Sequence, residues 1–364
     1  MVFSNVATLT LYLCTFVCSS VLMRFHQKLY INNESRIWKL YIPLFFSLLI
    51  PSIVAGMRYN VGTDYQSYYW LFELTRNSSI FQILNTGTEP LFLIIVKISS
   101  YILNNQSIYF VIFFLTIYFV YISIRELVNI NWGYSMMLWF LIAFSPTLNI
   151  MRQMLAASIV LYAIINLYEN KLLKCFVFLI LALLVHNIAA IGFIAFFLQN
   201  KNKYINGLII CLMLILFVTV PFSNYYITYI VEAFGGHRFE IYTSIIESFS
   251  LSPALRVLPI LLPILYFRNN ICRDFRNARL FINLKLFELF FRLFFSSINY
   301  GFRVAYFFNL IDVVLVGMML FSVKNKYERM VLIALVFMFY IFIFYFNTFI
   351  NLNDGIIPYI LGGN

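Results

Sequence analysis

Long apolar runs separated by short polar segments follow one another along the whole chain. Most approach or exceed the roughly 18 residues that an α-helix needs to cross a bilayer. The runs that predict spanning helices lie near 2–23, 40–56, 106–124, 133–151, 153–169, 205–221, 254–267, 280–297, 303–322 and 330–347. Because backbone groups in lipid must pair within one segment, we expect an all-α fold, a polytopic membrane helix bundle of about 10–13 helices.

Two further apolar stretches do not fit this simple pattern. Residues 90–103 are short and carry Lys97. Residues 173–198 form either one long helix or two half-helices that break near His186 and Asn187. Half-helices of about 12 residues rise only about 18 Å, which is less than the membrane core, so the break would lie within the membrane.

The distribution of Lys and Arg favours one topology. If 90–103 lies along the outer surface and 173–198 forms a re-entrant or tight hairpin, most basic residues fall in inner loops, as the positive-inside rule requires. The alternative, in which both stretches cross once, agrees less well with that rule. The favoured topology gives one membrane domain over 1–364, with outer loops at about 57–105 and 222–253.

Composition supports this interpretation and excludes several classes of protein. Apolar residues make up 63% of the chain and charged residues 11%, which excludes a soluble globule. The net charge of +11 follows from the basic loops and does not indicate nucleic-acid binding. The five cysteines show no CxxC spacing and the three histidines are scattered, so we expect no disulfide framework, metal or cofactor.

One polar run stands apart directly after the second apolar stretch. It extends from Met57 to Tyr65 and places Arg58 six residues before Asp64, with Gly62 between them. Tyr68, Tyr69 and Trp70 follow. An arginine, an acid and a group of aromatic residues are typical of a site for an anionic substrate, although an interfacial aromatic belt explains the aromatic residues equally well.

Other charged residues allow both a functional and a structural interpretation. Arg152 and Gln153 open a helix, whose N-terminus beside an arginine suits an anion, but arginines at helix ends often only reach towards the interface. His186 lies deep in an apolar run, where ionisable groups are usually functional, although a lone histidine is often a core residue. Arg303 has no acid close to it in sequence, which invites an anionic ligand.

Two remaining groups keep open alternatives. Lys285, Glu288 and Arg292 share one helical face, and either neutralise one another or bind phosphate. Arg238 follows a Gly-Gly pair in the second outer loop, which is either solvated or a mobile lid. The chain has no P-loop, GxSxG or HExxH motif, so nucleotide hydrolysis is not supported.

The motifs together resemble a known family. Arg58-x-x-Val61-Gly62-Thr63-Asp64-Tyr65 is similar to the signature of the EpsG-like group of Wzy-type polysaccharide repeat-unit polymerases. Further motifs follow in the family's order across nearly the whole chain: Glu89-Pro90-Leu91-Phe92, Arg152-Gln153-x-x-Ala156, His186, Arg238-x-x-x-Tyr242, Arg303-x-x-Tyr306-Phe307 and Ile357-Pro358-Tyr359. Asn187-Ile188-Ala189 follows His186 where a serine-like residue is expected.

The resemblance implies an O-antigen or capsular polysaccharide polymerase with GT-C-like architecture in a bacterial inner membrane. Such an enzyme joins undecaprenyl-pyrophosphate-linked oligosaccharides, as donor and acceptor, at the periplasmic face, next to a flippase and a chain-length regulator. The alternatives are a flippase or other transporter for the lipid-linked unit, and an accessory membrane protein. A flippase would tend to show internal repeats, and the sequence has none.

This function assigns a role to each candidate residue. We expect Asp64 to be the catalytic base, with His186 as the second choice. Arg152 and Arg303, together with Arg58 and Arg238, are expected to bind the pyrophosphate. The remaining predicted contacts are Gln153, at the helix N-terminus beside Arg152, and Tyr65, which would stack on a sugar.

Overall fold

The computed structural model describes residues 1–84, 87–101, 105–199, 251–294, 296 and 303–362. Throughout these residues the regular elements are helices, joined by two isolated antiparallel backbone bridges. The predicted all-α membrane bundle is confirmed. The predicted span at 205–221 lies outside the described residues.

The helices are numbered in chain order over the described residues. They are α1 (Asn5–Ile31), α2 (Ile37–Gly56), α3 (Tyr65–Asn77), α4 (Ile80–Leu84), α5 (Pro90–Ser100), α6 (Ser107–Arg125), α7 (Trp132–Asn149), α8 (Met151–Tyr168), α9 (Leu172–Val185), α10 (Ile194–Leu198), α11 (Ser252–Leu255), α12 (Leu258–Tyr266), α13 (Arg268–Asp274), α14 (Arg279–Phe294), α15 (Tyr306–Asn309), α16 (Asp312–Ser322) and α17 (Lys326–Tyr345). A 3-10 helix (Asn187–Phe193) precedes α10, and a π-helical turn (Phe346–Ile350) follows α17.

Five helical segments are long and apolar enough to cross a membrane within the described residues: α1, α2, α6, α8 and α17 with its π turn. Burial separates central from peripheral spans, since 89% of the apolar window of α8 is buried against 17% for α17. Helix α7 is also buried on nearly every side, and it packs against α1, α6 and α16. Helices α7 and α8 therefore form the centre of the bundle, and α17 presents most of its surface outwards.

The ambiguous run at 173–198 is broken, as the hairpin interpretation predicts. Helix α9 ends at Val185, His186 is extended, and the chain continues as the 3-10 helix and α10. The 14 residues of α9 rise about 21 Å, less than the thickness of a membrane core. His186 therefore lies at the junction between the α-helical hydrogen bonds of α9 and those of the 3-10 helix.

Other predicted spans differ from the structure. The stretch 254–267 is divided between α11 and α12, and Pro259 lies in the first turn of α12 because it lacks the N–H that would continue the preceding helix. The stretch 303–322 is divided into α15 and α16. The stretch 90–103, which the favoured topology lays along the outer surface, contains the 11-residue α5, and the described part of the first outer loop holds three short helices, α3 to α5.

Residues 351–362, called the strap below, fold back over the loop that follows α2. Tyr59 donates its backbone N–H to Ile360 over 2.9 Å, and Gly62 donates to Gly355 over 2.9 Å. The two isolated bridges join Ile360 to Val2 and Leu361 to Arg58. The strap thus ties the start of α1, the loop after α2 and its own residues into one layer at one end of the bundle.

Candidate functional site

A cavity of about 640 Å³ opens beside the strap, and α7, α14 and α17 form its walls. This volume lies within the range of small-molecule sites. Its lining combines apolar side chains of α7 and α17 with charged groups from five other segments. Over the described residues, the charged lining groups are Asp64, Arg256, Lys285, Glu288, Arg292, Arg303 and Asp354.

Asp64 reaches this cavity from the position just before α3. Its side chain accepts no capping bond from the helix, and its contact is the hydroxyl of Thr63, which donates to Oδ1 over 3.3 Å. Asp64 forms no ion pair in the described part of the chain. The loop places it through Gly62, whose φ of +100° suits glycine and whose added Cβ would lie 2.7 Å from the Asn149 amide oxygen.

Asp354 enters the same cavity from the strap, and the sequence interpretation missed it. Ser145 donates its hydroxyl to Oδ2 of Asp354, and Asn149 donates its side-chain amide to the Asp354 carbonyl over 3.0 Å. Burial raises the pKa of Asp354, although the Ser145 hydrogen bond and the charge of Arg303 oppose that rise. The available sequence signal is an acid followed by a turn-forming glycine, directly after the last apolar run.

A buried ion-pair network forms the opposite wall. Lys285 Nζ lies 2.6 Å from Glu288 and also contacts Asp312, and Arg292 Nε lies 2.7 Å from the second oxygen of Glu288. Tyr340 donates its hydroxyl to Asp312. The predicted pairing along this helical face is therefore present. Two cations and two acids balance within it, so Glu288 is not available as a base.

Arg303 lines the cavity just before α15. Gln153, which is buried in α8, donates its amide to the Arg303 carbonyl over 2.6 Å. The predicted role of Gln153 was substrate contact, but its amide nitrogen is used to position the backbone of Arg303. Arg256 and Arg292 lie on the same cavity, so this region is rich in guanidinium groups.

Arg152 and His186 meet at a shared acid, Glu89. Arg152 Nη1 lies 2.9 Å from Oε2 of Glu89, and His186 Nδ1 lies 3.0 Å from Oε1. The Asn187 N–H donates to the same Oε1 over 3.2 Å. Burial favours the neutral acid, but the His186 hydrogen bond and the Arg152 charge outweigh it, and the pKa of Glu89 falls to about 2.

The Glu89 cluster is distinct from the described cavity lining. Residues next to it in the chain and in space connect it to α3 and to Arg303. Neither Arg152 nor His186 belongs to the described cavity lining. Tyr68 of α3 accepts the Arg152 N–H over 3.4 Å, and the next residue in the chain, Gln153, holds Arg303. His186 bonds to Glu89 and does not face the cavity, so of the two predicted bases only Asp64 lies on it.

Arg58 and Tyr65 lie elsewhere than the sequence predicts. Arg58 is fully buried, with its guanidinium 4.9 Å from the ring centre of Tyr109 and 5.8 Å from that of Tyr65. Tyr65 is itself buried and stacks on Tyr109 at 4.4 Å. Neither residue is among those described as lining the cavity. Such cation–π contacts stabilise by about 0.5–2 kcal/mol each. Arg58 therefore stabilises the loop between α2 and α3 by contacts on its buried side.

Arg238 lies outside the described residues, and so does Tyr242 of its motif. Among the residues the structure describes, no three His, Cys, Asp or Glu side chains are grouped as a metal site would require. The polar groups of the described cavity lining include carboxylates, guanidinium groups, an ammonium group and hydroxyls.

Comparison with known proteins gives a family match. The model of the EpsG family matches residues 41–361. No curated protein and no solved structure matches the chain. The matched range includes Asp64, the Glu89 cluster, Arg303 and the strap up to residue 361.

Proposed function

The chain belongs to the EpsG family, and from this membership together with the charged cavity we infer that it polymerises lipid-linked oligosaccharides. The family indicates a membrane glycosyltransferase-like polymerase of polysaccharide. We assign its substrates as repeat units carried on undecaprenyl pyrophosphate, at the periplasmic face of a bacterial inner membrane. One repeat unit, or a growing chain, serves as donor and another as acceptor.

The observation that supports this proposal is that Asp64 and several arginines line one cavity. A polymerase of this kind must remove a proton from an acceptor hydroxyl and stabilise the charge of a departing pyrophosphate. Asp64 is a carboxylate without an ion pair in the described part of the chain. Arg303 and Arg256 line the same cavity, where their guanidinium groups suit phosphate oxygens.

In the proposed step, the acceptor hydroxyl oxygen attacks the anomeric carbon of the donor sugar. The bond from that carbon to the pyrophosphate oxygen breaks, and its electron pair leaves with the lipid pyrophosphate. The hydroxyl proton passes to a cavity carboxylate, for which Asp64 is the candidate predicted from sequence. Arg303, which Gln153 holds at its backbone, stabilises the charge that develops on the leaving group.

The test uses surface polysaccharide from the bacterium that carries this chain. The variants Asp64→Ala and Arg303→Ala replace the chromosomal copy, and glycan length is resolved as a ladder on gels. We expect single repeat units to persist and longer bands to disappear. Arg76→Ala, in the exposed last turn of α3, is the matched control and should keep the full ladder.

Two outcomes would contradict the proposal. Unchanged ladders in both variants, with protein abundance equal to that of the control, would mean that these residues are not catalytic. Loss of single units together with longer bands would indicate a defect in flipping the lipid-linked unit, since a polymerase defect leaves that unit on the surface.

A further inference from the structure

Three acids line the cavity in the described part of the chain, and they differ in how their charge is balanced. Glu288 is held between Lys285 and Arg292. Asp64 and Asp354 form no ion pair with any described residue. Because buried or half-buried charges are normally paired, two such carboxylates on one cavity indicate a requirement beyond folding.

Asp354 is held firmly enough to act at a fixed position. Its backbone carbonyl accepts the Thr63 N–H over 3.3 Å and the Asn149 amide over 3.0 Å. Its Oδ2 accepts the Ser145 hydroxyl. In the described part of the chain its Oδ1 accepts no hydrogen bond. One oxygen therefore fixes the side chain and the other can accept a hydrogen bond from a bound molecule.

The strap brings this acid to the same wall as Asp64. The Gly62 N–H donates to Gly355 and the Thr63 N–H donates to Asp354, so the residues before Asp64 pair with the residues at Asp354. The charged and titratable groups whose charge acts on Asp354, or on which it acts, are Asp64, Arg303 and Tyr306. The carboxylates of Asp64 and Asp354 and the guanidinium group of Arg303 thus line the same cavity, beside the strap.

We propose that Asp354 is a second catalytic carboxylate, which works with Asp64 in removing the proton of the acceptor hydroxyl. This inference rests on the proposed function. The hydroxyl O–H bond breaks as the oxygen binds the anomeric carbon, and the carbon–pyrophosphate bond breaks with its electron pair on the leaving group. The two carboxylates take up the single proton, which water removes after the product leaves. The charge of Asp64 favours such uptake at Asp354, because a neighbouring negative charge makes a carboxylate more basic.

The test compares side chains of equal length at position 354 in the full chain. Asp354→Glu keeps a carboxylate and Asp354→Gln replaces it with an amide, so both variants carry the same added methylene. Polymer per protein molecule is measured as the amount of glycan longer than one repeat unit, divided by the membrane abundance of the protein, in a strain without another copy. Asn351→Ala, at an exposed position of the same strap, is the control.

We expect the Gln variant to lose about 10²–10⁴-fold of its polymer, the contribution typical of a general base, and the Glu variant to keep a short ladder. Equal ladders for Glu and Gln at equal abundance would overturn the inference, whether both match the wild type or both fall together. If Asp64→Ala and Arg303→Ala abolish long chains while Gln at 354 leaves them intact, the proposed function stands and the role of Asp354 fails. If all these variants keep long chains, the proposed function fails as well.

Discussion

Replacing Glu89 by Gln removes the charge that Arg152 and His186 share and preserves the size of the side chain. The fall in the pKa of Glu89 from 4.5 to about 2 corresponds to roughly 3 kcal/mol. Screening at Arg152, whose side chain is 32% exposed, reduces this to about 2 kcal/mol. We expect the apparent melting midpoint of the detergent-purified protein to fall by roughly 4 °C at pH 7.

The difference in melting midpoint between wild type and Glu89→Gln should depend on pH. Since the pKa of Glu89 is lower in the folded protein than its ordinary value, the stabilisation is complete above pH 4.5 and is lost as the pH falls towards 2. The gap between wild type and Glu89→Gln should therefore narrow between pH 7 and pH 3. Glu73→Gln is the matched control, because Glu73 lies in the same outer loop and forms no ion pair in the described part of the chain. Equal midpoints at pH 7, or a gap that does not change with pH, would refute the reasoning.

Three other substitutions test the packing around the site. Gly62→Ala should lower the melting midpoint more than Gly355→Ala, because both positions have positive φ but only the first Cβ meets an atom closer than 3 Å. Arg58→Lys should destabilise by about 1 kcal/mol in the same assay, because lysine loses the planar stacking on two tyrosine rings. Lys285→Met should cost roughly 3–5 kcal/mol and reduce the folded fraction in size-exclusion profiles, because it leaves buried acids without their shared cation. Adding Asp312→Asn to Lys285→Met should restore part of that fraction, and no restoration would contradict the pairing.

The parts of the fold that depend on local pattern could be predicted from the sequence. The polar pair at His186 and Asn187 interrupts an apolar run and indicated the break, because membrane helices tolerate such groups only with a partner. The spacing from Glu288 to Arg292 predicted an ion pair, because residues four apart lie on one helical face. Asp64 was predicted as a site residue because Arg58 and a group of aromatic residues accompany it directly after the second apolar run.

Contacts between residues that are far apart in the chain could not be predicted from hydropathy and residue spacing. Glu89 and His186 are 97 residues apart, so neither residue's neighbourhood shows that the other is its hydrogen-bond partner. Arg58 carries a charge that suggests a ligand, but aromatic rings from other segments enclose it, and hydropathy does not distinguish a stacked arginine from an exposed one. Asp354 reaches the cavity through backbone pairing of the strap, and a single sequence contains no periodicity for an isolated bridge.

The strap also sets the order in which the cavity can be assembled during synthesis. Ser145 and Asp354 are separated by 209 residues, and Tyr359 binds the Val54 carbonyl across 305 residues. Helices α1, α2 and α6 to α8 can enter the membrane and pack long before the chain reaches position 354. A ribosome that stalls within α17 would thus leave an inserted bundle in which the loop before Asp64 lacks its pairing with the strap and one wall of the cavity is missing. Long-range closure of this kind is slow, because the entropy of a large loop must be overcome before the final contacts form. Partly made chains would therefore be inserted but inactive, and activity would arise in a single late step.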